Sequence, residues 1–322
     1  MADDWVLCMG IPDLDARRAV EEGHGPDLPL VHYEDVPREE RAALLATAPA
    51  ILLWSAKLTA DMLDGAKALR IVQRIGEGTD KMDLDAARSL GLLVAKTTGI
   101  NATSSAELTV LLMLAALRRL PAAHASMVDG RWDKWSVREG THELRGKQVG
   151  ILGLGKIGQL VAARVRAFEA TVVYHSRHRL PVDAERGARR LPLDELLATS
   201  DIVSVHVPLT AATTGLIGAR ELTLMKRSAI LVNTARGGIV DEAALAAALA
   251  QRRIAAAGLD AFRDEPPAAD HPFRSLPNVV LTPHIGGVTD DSRDLMVRRA
   301  FANIRAVLAG GEVDPIDVVV AP

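Results

Sequence analysis

Apolar residues in the first hundred positions come in short runs divided by polar stretches. WVLCMG (5–10), AILLW (50–54), LRIVQRIG (69–76) and LLVAKT (92–97) read as strands. DAARSLG (85–91) reads as a helix closed by Gly91. Strands alternating with helices predict a parallel sheet. NATSSAELTVLLMLAALRRLP (101–121) follows, with capping candidates at Thr103, Ser104 and Ser105 and Glu107 in its first turn. Arg118 and Arg119 lie near its end and Pro121 supplies the stop, so one helix is predicted, apolar nearly all round and therefore buried.

From GKQVGILGLG (146–155) the alternation restarts. Strands are predicted at 148–152, 171–175, 201–207, 229–233, 255–259 and 279–282, and helices at 156–168, 193–199, 220–225 and 241–250. Six strands with short crossovers predict an α/β, doubly wound Rossmann-type sheet. DDSRDLMVRRAFANIRAVLAGG (290–311) is an amphipathic helix after the sixth strand, placed to return the chain to the first domain. Residues 1–101 and 289–322 are thus expected to form one domain and 102–288 the other.

Composition changes this picture little. The chain has 322 residues, 48% apolar and 25% charged, the mixture of an ordinary globular protein. A net charge of −3 points to neither nucleic acid nor an anionic membrane. Apolar runs break well before the about 18 residues a membrane span needs. The MADD start lacks a signal-peptide pattern, and Cys8 is the single cysteine, so no internal disulfide and a cytoplasmic location are expected. Cys8 itself reads as a small strand residue. No metal-ligating pattern stands out.

GLGKIG follows a predicted strand and opens a predicted helix, the context that gives this motif meaning. Gly153 permits the tight turn, Gly155 lets a pyrophosphate approach the backbone, and Gly158 lets helix and strand pack closely. The helix N-terminus offers free N–H groups to the phosphate. A dinucleotide cofactor is expected.

The next strand ends in VVYHSRHR (172–179). An acid about 20 positions beyond the first glycine normally binds the ribose 2′-hydroxyl of NAD. Ser176, Arg177 and Arg179 stand there instead, and none is acidic. Ser and Arg suit a 2′-phosphate, so NADP is favoured, with NAD and a solvated loop as the alternative.

Three later strands end in charged residues: ILVNTARGGIVDE in Arg236, AGLDAFRDEPP in Asp260 and Glu265, VVLTPHIGG in His284. Ligands in doubly wound folds lie at this edge. Hydride transfer to a ketone needs a proton donor, which His284 can be. Paired with it, Glu265 would orient the ring, and Arg236 would bind a substrate carboxylate.

At these residues the chain resembles the D-isomer-specific 2-hydroxyacid dehydrogenases, from about residue 50 to about 290. IVQRIGEGTDKMDLDAA, NATSSAELT, ELRGKQVGILGLGKIG, DIVSVHVPLTAATTGLI, LVNTARGGIVDE, LDAFRDEP and LTPHIGG carry the likeness. The resemblance implies a smaller flavodoxin-like substrate domain beside the dinucleotide-binding one. It makes Arg236 the substrate-activating arginine, Glu265 the partner of His284, and His284 the acid/base. By the same resemblance the Ile75-Gly76-Glu77 loop binds the substrate carboxylate through backbone N–H groups, and Lys156 and Ile157 lie on the pyrophosphate. Thr109, Val207, Pro208, Thr213, Thr234, Ala235, Arg236, Asp260, His284, Gly286 and Gly287 then border the rest of the cofactor. A homodimer whose two-domain subunits close over the substrate is implied.

Two departures shape the expected substrate. Besides the missing acid, Trp54 stands where the phosphoglycerate branch carries Arg, although Arg74 remains in its matching place. GRWDKW (130–135) is similar to a loop of glyoxylate/hydroxypyruvate reductase-like members, where Trp135 either limits substrate size across the dimer or anchors the dimer contact. The expected activity is NADPH-dependent reduction of a small 2-keto acid of the glyoxylate, hydroxypyruvate or pyruvate type. An NAD-dependent D-3-phosphoglycerate dehydrogenase-like enzyme and a non-catalytic NAD(P)-sensing corepressor are the alternatives.

Overall fold

The structure, a computed structural model, describes residues 4–322, so the first three residues of the MADD stretch lie outside it. The chain divides into two compact units, Met1–Asn101 with Val288–Pro322, and Ala102–Gly287. The first begins with strands β1 (Val6–Met9), β2 (Leu30–His32), β3 (Ala50–Leu53), β4 (Ile71–Arg74) and β5 (Leu93–Lys96). The second holds β6 (Gln148–Leu152), β7 (Thr171–His175), β8 (Arg189–Arg190), β9 (Ile202–Val205), β10 (Ile230–Asn233), β11 (Ala256–Leu259) and β12 (Val279–Leu281). The chain then returns to the first unit through the helix Asp290–Leu308 and β13 (Val318–Val320).

The first sheet runs β13-β5-β4-β3-β1-β2, parallel except for β13, which pairs antiparallel with β5. Leu14–Gly23 and Asp290–Leu308 cover one face; Arg41–Thr47, Ala60–Gly65 and Leu84–Ser89 cover the other. The second sheet is wholly parallel in the order β12-β11-β10-β9-β6-β7-β8. Neighbouring residues on β10 show how both faces are buried. Ile230 and Val232 pack under the helices Ala102–Leu117 and Lys156–Ala167, while Leu231 faces the layer that includes Leu196, Leu222 and Leu245. β6 is flanked by β7 on one side and β9 on the other. The order of connection reverses there, which opens a crevice at the C-terminal strand ends.

Three short strands, β2, β8 and β13, were not among those predicted, and β8 makes the second sheet seven-stranded rather than six. The predicted helix over 101–121 is corrected as well. It ends at Leu117, Arg119 turns to φ +51°, and a second helix, Leu120–Val128, starts at a 69° bend. Pro121 sits in the first turn of that second helix. Its missing N–H has no intrahelical partner to lose there, so it starts a helix rather than stopping one. No single helix among the described residues is long and apolar enough to cross a membrane.

Ala102–Leu117 lies close on the second sheet. A Cβ at Gly258 of β11 would stand 2.9 Å from Leu112 Cβ, so glycine is what allows the approach. Leu112 is 1% exposed. Truncation there leaves a cavity under the helix, and Leu112→Ala is expected to destabilise the unit by about 2–5 kcal/mol in urea denaturation. A loss below about 1 kcal/mol would show that the helix is not seated as described.

Candidate active site

Three adjacent strands of the second sheet end side by side in the charged residues. Arg236 follows β10, Asp260 and Glu265 follow β11, and His284 follows β12. The turn carrying Arg236 is held by Asn233, almost fully buried at the end of β10. Its Oδ1 accepts from the Ala235 N–H at 3.1 Å and its Nδ2 donates to Arg236 O at 2.8 Å. Gly237 lets this turn lie against the next one, since a Cβ there would fall 2.0 Å from the Phe262 carbonyl carbon. The turn after β11 is pinned in its own way: Glu242 Oε1 accepts the Arg263 N–H at 2.6 Å, and Glu265 Oε1 accepts the Phe262 N–H at 3.1 Å.

That same Glu265 oxygen lies 2.7 Å from His284 Nδ1. A carboxylate partner places the Nδ1 proton between the two groups, so Nε2 is left as the exchangeable position, a donor when the ring is charged and an acceptor when neutral. His284 takes φ +56°, a conformation rare outside glycine that costs a side-chain-bearing residue about 1–3 kcal/mol. Asp260 holds it there. Oδ1 accepts from Thr282 Oγ1 at 2.6 Å and from the Ile285 N–H at 2.9 Å, and Oδ2 accepts the Gly286 N–H at 2.8 Å. A Cβ at Gly286 would meet Asp260 Oδ2 at 2.8 Å, so this close seat requires glycine.

The glycine turn after β6 fits a dinucleotide on the structure's own terms. Gly153 has φ +92°, and a Cβ there would meet His206 O at 2.7 Å. Val207 borders the same spot. A Cβ at Gly158 would fall 2.3 Å from Gly153 O. At Gly155 a Cβ would meet nothing within 4 Å, so that side is open to a ligand. Gly155 caps the helix Lys156–Ala167 without any side-chain hydrogen bond, leaving the first-turn amides of Lys156, Ile157 and Gly158 for a phosphate.

Past β7 the side chains divide. Arg177 is exposed, and its guanidinium has no partner among the described residues. The Ser176 hydroxyl donates to His178 O. Arg179 is corrected: it is not an uncommitted cation, because its Nε lies 2.9 Å from Glu185 Oε1. The Arg179 guanidinium and then the Tyr174 hydroxyl, 2.7 Å away, hold Glu185 below the usual carboxylate range and so keep it charged.

The profile described as D-isomer specific 2-hydroxyacid dehydrogenase, NAD binding domain, matches residues 110–286. A glyoxylate reductase of Aeropyrum pernix is 42% identical over 292 residues, 88% of this chain and 86% of that protein. The chain belongs to the D-isomer specific 2-hydroxyacid dehydrogenase family. A D-3-phosphoglycerate dehydrogenase of Mycobacterium bovis is 44% identical over 283 residues, 87% of this chain, which spans 53% of that relative's length. The crystal structure of a glyoxylate reductase from Paecilomyes thermophila superposes with a TM-score of 0.88 at 31% identity, covering 99% of each chain. As a 2-hydroxyacid dehydrogenase the chain is an oxidoreductase that uses a nicotinamide dinucleotide and acts on small 2-hydroxy or 2-keto acids.

Several residues expected on ligands in this dehydrogenase prove to have internal partners. Thr109 is fully buried; its hydroxyl donates to Ser105 O at 2.7 Å and meets Thr234 Oγ1 at 2.8 Å, so it steadies the 234–236 turn. The Asp260 carboxylate is likewise taken up by the segment that carries His284. Thr213 Oγ1 donates to Pro208 O at 2.6 Å and closes the 208–213 turn. In the first unit the Ile75 N–H donates to Leu53 O at 2.9 Å and the Gly76 N–H to Thr97 Oγ1 at 2.8 Å. Both amides therefore already have acceptors within the first unit and are not free donors for an anion. Trp135 is 65% exposed and stacks under Arg138, 4.4 Å from its guanidinium.

Sequence reasoning missed Asn233, Glu185 and Arg190. Arg190 Nη2 donates to Ser176 O at 2.8 Å and to Arg177 O at 3.2 Å, a contact set by the pairing of Arg190 with Tyr174 across the sheet. No local pattern announces a two-residue edge strand. The asparagine had a signal, since a polar residue at the end of an apolar strand and before a turn is suited to clasp that turn.

Gly158→Ala tests the cradle. The methyl must push the helix off the Gly153 turn, and dinucleotide affinity measured by nicotinamide fluorescence is expected to fall at least about tenfold, or about 1.4 kcal/mol. Unchanged affinity with an unchanged melt would contradict the geometry.

Proposed function

We propose that this dehydrogenase is an NADP(H)-dependent reductase of a small, unphosphorylated 2-keto acid of the glyoxylate, hydroxypyruvate or pyruvate type, run in reverse as oxidation of the D-2-hydroxy acid. The observation that carries the reading is the His284–Glu265 pair, 2.7 Å apart beside Arg236 at the ends of adjacent strands. Bound NADPH supplies the hydride to C2. Arg236 binds the keto acid's oxygens with charged donors and draws electron density from the carbonyl. His284 gives the Nε2 proton to the developing alkoxide, and Glu265, 2.7 Å from Nδ1, keeps the ring in position.

The cofactor preference rests on β7. It ends without a carboxylate to accept from a 2′-hydroxyl, and the exposed Arg177 guanidinium is uncommitted. The substrate reading rests on the first unit. Trp54 is buried there and offers no cation to a phosphate, while Arg74 donates to Gly78 O at 2.8 Å and Leu53 O at 3.3 Å. Both features disfavour phosphoglycerate. The charged trio disfavours a purely cofactor-sensing corepressor.

A homodimer is part of the proposal. Leu120, Met127, Val128, Trp132 and Trp135 are more than half exposed along one stretch of the second unit, an apolar surface of the kind that marks contacts with other proteins. In such a contact Trp135 anchors the partner. A cytoplasmic, reducing location suits the single buried thiol of Cys8.

Two variants test the reading. His284→Ala is expected to lower kcat about 100- to 10,000-fold with NADPH binding retained. Arg177→Ala is expected to weaken NADPH about tenfold or more and leave NADH nearly unchanged. Full turnover in the first, or equal effects on both cofactors in the second, would overturn it.

A further inference from the structure

A pocket of about 590 Å³ opens beside the end of β7, lined by His175, Arg179, Glu185, Arg189 and Arg190 and closed by Leu191 and Pro192. Three arginines and one carboxylate share this small space, and they are not equivalent. Glu185 is 8% exposed, fixed on one side by the fully buried Tyr174 and on the other by Arg179. A fixed carboxylate beside a phosphate would repel it, so the charge of Arg179 is needed to cancel Glu185 before it can serve any ligand.

Arg190 stands differently. It runs parallel to the end of β7, opposite Tyr174, and its Nε and Nη2 donate to the backbone oxygens of Ser176 and Arg177. These bonds fix the plane of the guanidinium and leave the Nη1 edge without a partner among the described residues. No carboxylate lies in ion-pair distance of it among the described residues, unlike Arg179, or Arg189, whose Nη1 is 3.8 Å from Glu195. A planar cation held by the very loop that carries Arg177 is preorganised for a second anionic oxygen.

We propose that Arg190 is a specificity-determining cation for the 2′-phosphate, acting beside Arg177, and that Arg179 is not a ligand but a mask that neutralises Glu185. This rests on the NADP reading given above and adds residues to it. It also gives the loop a division of labour. Arg177 and Arg190 attract the phosphate, while the Arg179–Glu185–Tyr174 cluster shapes the turn and is electrically silent towards it.

The test is direct binding, by titration calorimetry of the full chain with adenosine 2′,5′-bisphosphate and with 5′-AMP. Arg190→Gln keeps an amide that can donate to Ser176 O but removes the charge. It is expected to weaken the bisphosphate about tenfold or more, the scale of a charge-assisted hydrogen bond, and to leave 5′-AMP within about twofold. Arg179→Ala is expected to weaken the bisphosphate by unmasking Glu185, and Arg179→Ala with Glu185→Gln to restore it to near the parent value. A double variant as weak as Arg179→Ala would make Arg179 a direct ligand and overturn the assignment. So would an Arg190→Gln that weakens both probes equally, or neither. If instead the parent protein itself binds the bisphosphate no better than 5′-AMP, the NADP reading fails and takes this proposal with it, an outcome distinct from the other failures.

Discussion

The site turns on one buried carboxylate. Asp260 leaves the end of β11 and accepts three hydrogen bonds from the segment that follows β12, one from a hydroxyl and two from backbone amides. That segment carries His284 in a left-handed backbone conformation that it would not hold unaided. Once Asp260 fixes the segment, the imidazole faces Glu265, and the pair acquires its geometry. The carboxylate has no ligand to bind in order to matter. A buried acid whose lone pairs are filled by neighbouring donors is stable where it sits and makes the loop rigid.

The parallel sheet supplies the other half of the geometry. Because β10, β11 and β12 are adjacent and parallel, three separate sequence segments deliver a cation, a carboxylate and an imidazole to one edge. Backbones must come close for these turns to share that edge, and Gly237 and Gly286 are where they do. Asn233 then closes the turn of Arg236 from below. Each device is local, yet the charged trio comes together only when all three strands are in register.

Much of this was legible in the chain. Strong apolar runs marked the central strands of both sheets, and the glycine turn was readable because its residue types answer separate steric demands. The charged trio stood out because three different charge types fall just past consecutive strands, the edge where doubly wound folds bind ligands. What escaped the reading depends on pairing at a distance. Pro121 looked like a stop, but its meaning depended on Arg119 bending the chain two residues earlier. Arg179 looked like a phosphate ligand until Glu185 was found beside it. Thr109 and Asp260, expected at the cofactor, are tied to Thr234 and to the His284 loop. A residue's type and position give its chemistry, and its partners decide where that chemistry is directed.

The central claim is reduction of a small keto acid with NADPH, and initial rates test it most directly. NADPH and NADH would each be measured against glyoxylate, hydroxypyruvate, pyruvate and 3-phosphohydroxypyruvate. The account predicts a kcat/KM with NADPH at least about tenfold above that with NADH, the scale of one charge-assisted contact, and the higher rates with an unphosphorylated acid. A preference for NADH, or activity confined to the phosphorylated substrate, would contradict it.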